Sequence, residues 1–155
     1  MSFKHIGGIM KNIVVCVDLR EESLQILKEL KNRVDLKEAK VHLVHTFEIQ
    51  VGVMEFSAIV YPTPKQYPEI EASVQAILTN LQKDLGLNDN QVEKSCFFAT
   101  SKEQTIKDYL GKKNANLVVV ATRGKHGIEG FFASSLADFL CKYSPCDVLV
   151  MRPTK

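Results

Sequence analysis

The sequence lacks the long apolar segments that membrane-spanning and exported proteins require. None of its apolar runs approaches the length of a membrane span, and the first ten residues contain no apolar stretch of the secretory kind. These absences predict a cytoplasmic protein without a membrane partner.

Blocks of like charge and paired cysteines are also missing. Twenty Lys and Arg residues balance eighteen Asp and Glu residues, and no basic block marks a nucleic-acid-binding face. The four cysteines have neither C-x-x-C spacing nor the density of a disulfide scaffold, so we expect buried thiols in a reducing compartment. Cys141 and Cys146 are close in sequence, and their role stays open.

Motifs of protein-borne catalysis are absent as well. His5, His42 and His45 form no metal-ligand pattern with a cysteine, and the G-x-S-x-G elbow of serine hydrolases is missing. The sequence therefore predicts no catalytic residues and no protein-only metal site. Mg or Mn could still arrive with the phosphates of a nucleotide.

What is present is the length and pattern of one domain. The chain has 155 residues, enough for a single core. Residues 1–9 show no periodicity and precede a second methionine, so they are interpreted as a flexible extension before a domain at 10–155.

Within that domain, short apolar runs alternate with amphipathic segments. Runs typical of buried strands begin at Ile13, Val41, Gln91, Leu117 and Asp147. This alternation predicts a Rossmann-like α/β fold with a five-stranded parallel sheet in the order 3-2-1-4-5 and helices on both faces.

Helical spacing of apolar residues separates these strands. It predicts a first helix through Leu24 to Val34 and a last helix at about 135–143. A long loop rich in proline and aromatic residues is expected between the second strand and the second helix.

Ligands of such sheets bind beyond the carboxyl ends of the strands, where the winding reverses. Asp18 follows the first strand, His45 and Thr46 end the second, and residues 121–124 follow the fourth. These residues would line one cleft if strands one and four are neighbours.

Several segments resemble the universal stress protein family. They are residues 17–23, similar to its opening V-D-x-S-x-x-S pattern, Val44-His45 at its second strand, 116–120 at its fourth strand, and 144–153, its C-terminal signature. Leu19 and Arg20 stand where the opening pattern usually has small residues.

The resemblance implies a stress-response module that commonly dimerises through its last strand, here Asp147–Met151. The family's nucleotide-binding branch carries G-x-x-G-x9-G-S/T, and this chain has Ala121 and Ser134 where that motif has two of its glycines. By resemblance, ATP or AMP would contact Asp18, Thr46, Ala121, Arg123, Gly124, Ser134, Ser135 and Leu136.

Two functions stay open: a module that binds an adenine nucleotide, and a dimeric interaction module with an empty cleft. Asp18 could instead cap the helix that begins near Glu21, and Ser135 with Asp138 forms an S-x-x-D capping pattern that competes with phosphate. A slow ATPase would need a base, for which only His126 is near the expected phosphates.

Overall fold

The computed structural model of the protein describes residues 11–122 and 135–154, without the side chain of Ser135. The predicted extension at 1–9 and the candidate residues Arg123, Gly124 and Ser134 lie outside the described residues, as do Lys125 and His126.

The chain alternates strands and helices, except that three strands, β2 to β4, follow one another. In chain order the elements are β1 (Lys11–Cys16), α1 (Glu21–Lys28), β2 (Ala39–Glu48), β3 (Gln50–Met54), β4 (Ser57–Tyr61), α2 (Tyr67–Asp84), β5 (Val92–Ala99), α3 (Lys102–Lys112), β6 (Leu117–Ala121), α4 (Ser135–Tyr143) and β7 (Asp147–Met151). Single 3₁₀ turns lie at Glu29–Asn32, Pro64–Gln66 and Asp89–Gln91.

Five strands form one parallel sheet in the order β5-β2-β1-β6-β7. In terms of the predicted strands this is the order 3-2-1-4-5, so the predicted topology is confirmed. The winding reverses between β1 and β6, where Ile13 to Cys16 pair with Leu117 to Val120.

The central strand is buried on both faces, which explains why its sequence is continuously apolar. Ile13 and Val15 belong to the core that the sheet forms with α1 and α2. Val14 and Cys16 belong to the core formed with α3 and α4. Helices therefore cover both faces, as predicted.

The segment predicted as a long loop differs from the prediction. Its first part forms the antiparallel hairpin β3-β4, a separate two-stranded sheet, and the prolines follow this hairpin at the start of α2. The apolar residues of these two strands are exposed, whereas an apolar run in a sequence usually predicts a buried strand. The first helix also ends earlier than predicted, at Lys28, and continues as the 3₁₀ turn.

Candidate functional site

A cleft of about 310 Å³ opens where β1, β2 and β6 end. The strand order puts β1 between the other two, so residues at or near the carboxyl ends of three strands meet there. His45 and Thr46 were predicted to end the second strand, but β2 continues to Glu48. The lining residues are Cys16, Val17, Asp18, Arg20, Ser23, Val44, His45, Thr46, Lys102, Ile106, Val120, Ala121 and Leu136. This set is called the cleft below.

Asp18 contributes a carboxylate to the cleft, and Arg20 already occupies both of its oxygens. The guanidinium of Arg20 donates from Nε at 2.9 Å to Oδ2 and 3.1 Å to Oδ1, and its terminal nitrogen lies 2.7 Å from Oδ2. Partial burial raises the pKa of Asp18, but the hydrogen bonds and charge of Arg20 outweigh it, and the net pKa is lowered. Asp18 is therefore ionised, and its carboxylate is held by the guanidinium of Arg20.

The alternative role of Asp18 as a helix cap has a limited basis in the geometry. Arg20, in an extended conformation, is the N-cap residue of α1. Asp18 accepts a hydrogen bond from the Arg20 backbone N–H at 3.2 Å, outside the helix proper. The carboxylate thus orders the turn that enters α1 without capping its first amides.

Two hydroxyl groups at the cleft are buried without a partner. The side chains of Ser23 and Thr46 are 0% and 6% exposed, and neither Ser23 Oγ nor Thr46 Oγ1 has a hydrogen-bond partner among the described residues. A buried hydroxyl without a partner costs free energy. Such groups fit a polar ligand that would supply the missing partner.

His45 braces the wall of the cleft between two strands. Its Nδ1 lies 2.7 Å from the carbonyl oxygen of Val17, and the Val17 N–H donates to the Val44 carbonyl at 2.8 Å. Since a carbonyl only accepts, Nδ1 carries the proton and Nε2 is the acceptor of the neutral ring. Burial lowers the pKa of His45 and favours this neutral form.

Lys102, the first residue of α3, brings a cation to the cleft. Its side chain is half-buried and makes no hydrogen bond or ion pair with the residues that the structure describes. Its charge contributes to lowering the pKa of Asp18. Sequence reasoning did not predict this residue, nor Ser23, because both lie on helices that pack on opposite faces of the sheet rather than at the end of a strand.

Cys16 lies at the base of the cleft and is chemically quiet. Burial raises the pKa of its thiol to about 12, so a thiolate is not available at neutral pH. The expectation of a buried, unpaired cysteine therefore holds for Cys16. Cys141 is free and exposed, and Cys146 is free and half-buried.

Of the eight predicted contact residues, four are placed at the cleft: Asp18, Thr46, Ala121 and Leu136. Ala121 ends β6, and the following Thr122 N–H donates to the Met151 carbonyl at 2.8 Å, which ties this end of β6 to β7. Of the other four, Arg123, Gly124 and Ser134 lie outside the described residues, and the side chain of Ser135 is not described.

Metal-ligand clusters and membrane-spanning helices are both absent from the described part of the chain. In 11–122 and 135–154, no three His, Cys, Asp or Glu side chains cluster as metal ligands would. No helix in these ranges is both long and apolar enough to cross a membrane. The cellular location stays a prediction.

The five-stranded parallel sheet with a cleft at its winding reversal defines a Rossmann-like α/β protein. The model of the universal stress protein family matches residues 10–152, and the chain belongs to this family. A protein of Staphylococcus aureus strain USA300 that carries the family's name is 26% identical over 144 residues, which are 92% of this chain and 84% of that protein.

Solved structures of the family share the fold. The structure of a universal stress protein in complex with cAMP is 18% identical, with a TM-score of 0.65 over 95% of this chain and 100% of that chain. The universal stress protein from Archaeoglobus fulgidus in complex with dAMP is 16% identical, with a TM-score of 0.60 over 93% and 99% of the two chains. At these identities the likeness concerns the fold.

Proposed function

We propose that the protein is a non-enzymatic stress-response module that binds an adenine nucleotide, ATP or AMP, in the cleft. The observation that carries this proposal is the pair of buried hydroxyls of Ser23 and Thr46, which line the same cleft as the Asp18 carboxylate and have no hydrogen-bond partner among the described residues. The cAMP and dAMP complexes of two proteins with the same fold support it.

The cleft offers complementary groups for the parts of a nucleotide. Asp18 would accept hydrogen bonds from a ribose hydroxyl or the adenine amine, and Thr46 would lie beside the base. Ala121, Gly124, Ser134, Ser135 and Leu136 would present backbone amides near the phosphates, and Arg123 would add positive charge. Mg or Mn would be bound mainly by the phosphates themselves.

The size of the cleft bears on which nucleotide fits. A volume of about 310 Å³ is at the lower end of the roughly 300–1,000 Å³ typical of small-molecule sites. A mononucleotide fits a space of this size.

The other candidate function is a dimeric interaction module, and β7 favours a dimer. It is an edge strand of the sheet, with Val148, Leu149 and Val150 only half-buried. An apolar edge strand invites pairing. We therefore propose a homodimer through Asp147–Met151, whether or not a nucleotide is bound.

Nucleotide binding is tested by what accompanies the native protein. Mass spectrometry of the supernatant from heat-denatured protein should detect AMP or ATP, and calorimetric titration of the emptied protein with each nucleotide and magnesium should give saturable binding. An empty supernatant together with flat titrations would leave the interaction module as the function.

The proposed dimer needs a separate measurement. Light scattering should give twice the mass of the chain, and Val148→Lys with Val150→Lys should shift the population towards monomer. A wild-type monomer at every accessible concentration would contradict the interface at β7.

A further inference from the structure

Lys102 carries the one charge of the cleft lining that no described residue compensates. The charged residues of the lining are Asp18, Arg20 and Lys102, and the guanidinium of Arg20 occupies both oxygens of Asp18. Lys102 is half-buried and has no hydrogen bond or ion pair with a described residue. The described lining therefore has one positive charge in excess, which favours an anionic ligand.

The charge of Lys102 acts on the interior of the cleft. Burial is the largest influence on the pKa values of Cys16, Asp18 and His45, and the charge of Lys102 acts to lower the pKa of each. These three groups lie at the ends of β1 and β2. The ammonium group is therefore close to the part of the cleft where these two strands end.

The helix α3 crosses β2 in the opposite direction to the strand. Near the end of the helix, the Tyr109 hydroxyl lies 3.1 Å from Nδ1 of His42, near the start of the strand. One turn earlier in the helix, Ile106 packs in the same core as Val44. Each step along β2 towards its carboxyl end is thus a step along α3 towards its N-terminus.

Thr46 is the next residue in this row. Alternate residues of a strand share one face, so Thr46 follows Val44 and faces the turn of α3 that precedes Ile106. Thr46 and Lys102 line the same cleft. Thr46 is 6% exposed, and its Oγ1 has no hydrogen-bond partner among the described residues. A ligand oxygen beside Lys102 would supply the partner that this buried hydroxyl lacks.

The N-terminus of α3 adds a backbone donor. Ser101 is the N-cap, and its hydroxyl accepts a hydrogen bond from the Gln104 N–H at 3.2 Å. Lys102 is the first helical residue, and an N–H at this position has no carbonyl one turn earlier to bond. Its N–H and its ammonium group both lie at the positive end of a helix of 11 residues.

We propose that Lys102, the N-terminus of α3 and the Thr46 hydroxyl form an anion subsite of the cleft that binds a phosphoryl group. The ammonium group balances the charge, and the Lys102 N–H and the Thr46 hydroxyl donate to the phosphoryl oxygens. The subsite extends the proposed function and rests on it where the phosphate belongs to a bound nucleotide. Free phosphate would use the same three donors.

The test compares three ligands on the full chain and its variants. Phosphorus NMR follows the binding of orthophosphate, and calorimetric titration follows the binding of adenosine and AMP. Lys102→Met removes the cation, and Lys102→Arg retains it. Lys112→Met is the matched control, because it removes an exposed lysine of the same helix outside the cleft. Circular dichroism checks that each variant is folded.

We expect Lys102→Met to weaken the binding of orthophosphate and AMP by roughly tenfold or more and to leave adenosine unchanged. Lys102→Arg and Lys112→Met should bind all three ligands as the wild type does. Thr46→Val keeps the shape of the side chain and should also weaken orthophosphate and AMP, without lowering the free energy of unfolding, because it removes a hydroxyl that has no partner. A purely structural Thr46 would give the reverse result.

Two results would overturn the subsite. One is wild-type affinity of Lys102→Met for orthophosphate and AMP, or an equal loss in Lys112→Met. The other is the absence of saturable orthophosphate binding to the wild type together with equal affinities for AMP and adenosine. In both cases, adenosine binding would leave the proposed function standing. Orthophosphate binding that requires Lys102, in a protein that binds neither adenosine nor AMP, would support the subsite and overturn the nucleotide function.

Discussion

Replacing Arg20 by serine should strengthen nucleotide binding, because Arg20 holds the carboxylate that the nucleotide would use. Three guanidinium contacts of 2.7–3.1 Å join the two side chains. A ligand that hydrogen-bonds to Asp18 must loosen at least one of them. Serine at this position also restores the small residue that the family's opening pattern usually has.

The expected gain is modest because the ion pair is solvated. The side chains of Arg20 and Asp18 are 53% and 40% exposed, and exposed pairs contribute about 0–1 kcal/mol. Arg20→Ser should therefore raise the affinity for AMP by up to about fivefold and leave the unfolding free energy nearly unchanged. Asp18→Ala should instead weaken the binding free energy of AMP by roughly 1.5–3 kcal/mol, the contribution of a charge-assisted hydrogen bond.

Calorimetric titration of AMP into both variants, their combination and wild type measures these effects. Arg33→Ser is the control, since it removes an exposed arginine that lies outside the cleft. In the combination, the gain from Arg20→Ser should vanish, because no carboxylate remains to be released. A gain that persists without Asp18, or a loss of affinity in Arg20→Ser alone, would refute the reasoning.

Three further predictions concern other residues of the cleft, its neighbouring loop and the core. Lys102→Met should lower the affinity for AMP more than the affinity for adenosine in titrations, because it removes a cation that interacts strongly only with the phosphate. Lys112→Met, at the exposed end of the same helix, should change neither affinity. The double change Ala121→Gly and Ser134→Gly should strengthen ATP more than AMP if side-chain bulk hinders the phosphates; a loss of stability without gain in affinity would instead favour packing roles. Burial chiefly lowers the pKa of His42 in the folded protein. As the pH falls, the unfolded chain therefore binds a proton at this residue before the folded chain does. The contribution of His42 to the free energy of unfolding, present above about pH 6.5, is then lost. Denaturant titrations from pH 7.5 to 5.5 should show this loss, by less than about 1.4 kcal/mol per pH unit for one group, and a smaller slope in His42→Gln.

The sheet could be predicted because a strand that is buried on both faces has a continuously apolar sequence. Continuous apolar runs such as Val118–Val120 occur where a strand has helices above and below it. The last strand, Asp147–Met151, has the predicted bounds, and the last helix, Ser135–Tyr143, has them too.

The hairpin and the helical part of the cleft wall could not be predicted in this way. Val53 is apolar but 84% exposed, so hydrophobicity gave no sign of its environment. Ser23 and Lys102 reach the cleft only because α1 and α3 cross opposite faces of the sheet, a relation between segments far apart in sequence. The Arg20–Asp18 pair had a local signal, opposite charges two residues apart after a strand, that sequence reasoning passed over.

Because several elements together form the cleft, ligand binding there would be coupled to the stability of the folded chain. Its walls come from β1, β2 and β6 near their ends and from α1, α3 and α4, so the site is complete only when segments from Cys16 to Leu136 are folded together. A nucleotide bound there would stabilise only the completely assembled molecule, by about 2.7 kcal/mol at a ligand concentration one hundred times the Kd. Heat resistance and resistance to proteolysis would then rise and fall with the nucleotide pool, and the steady-state amount of the protein would follow.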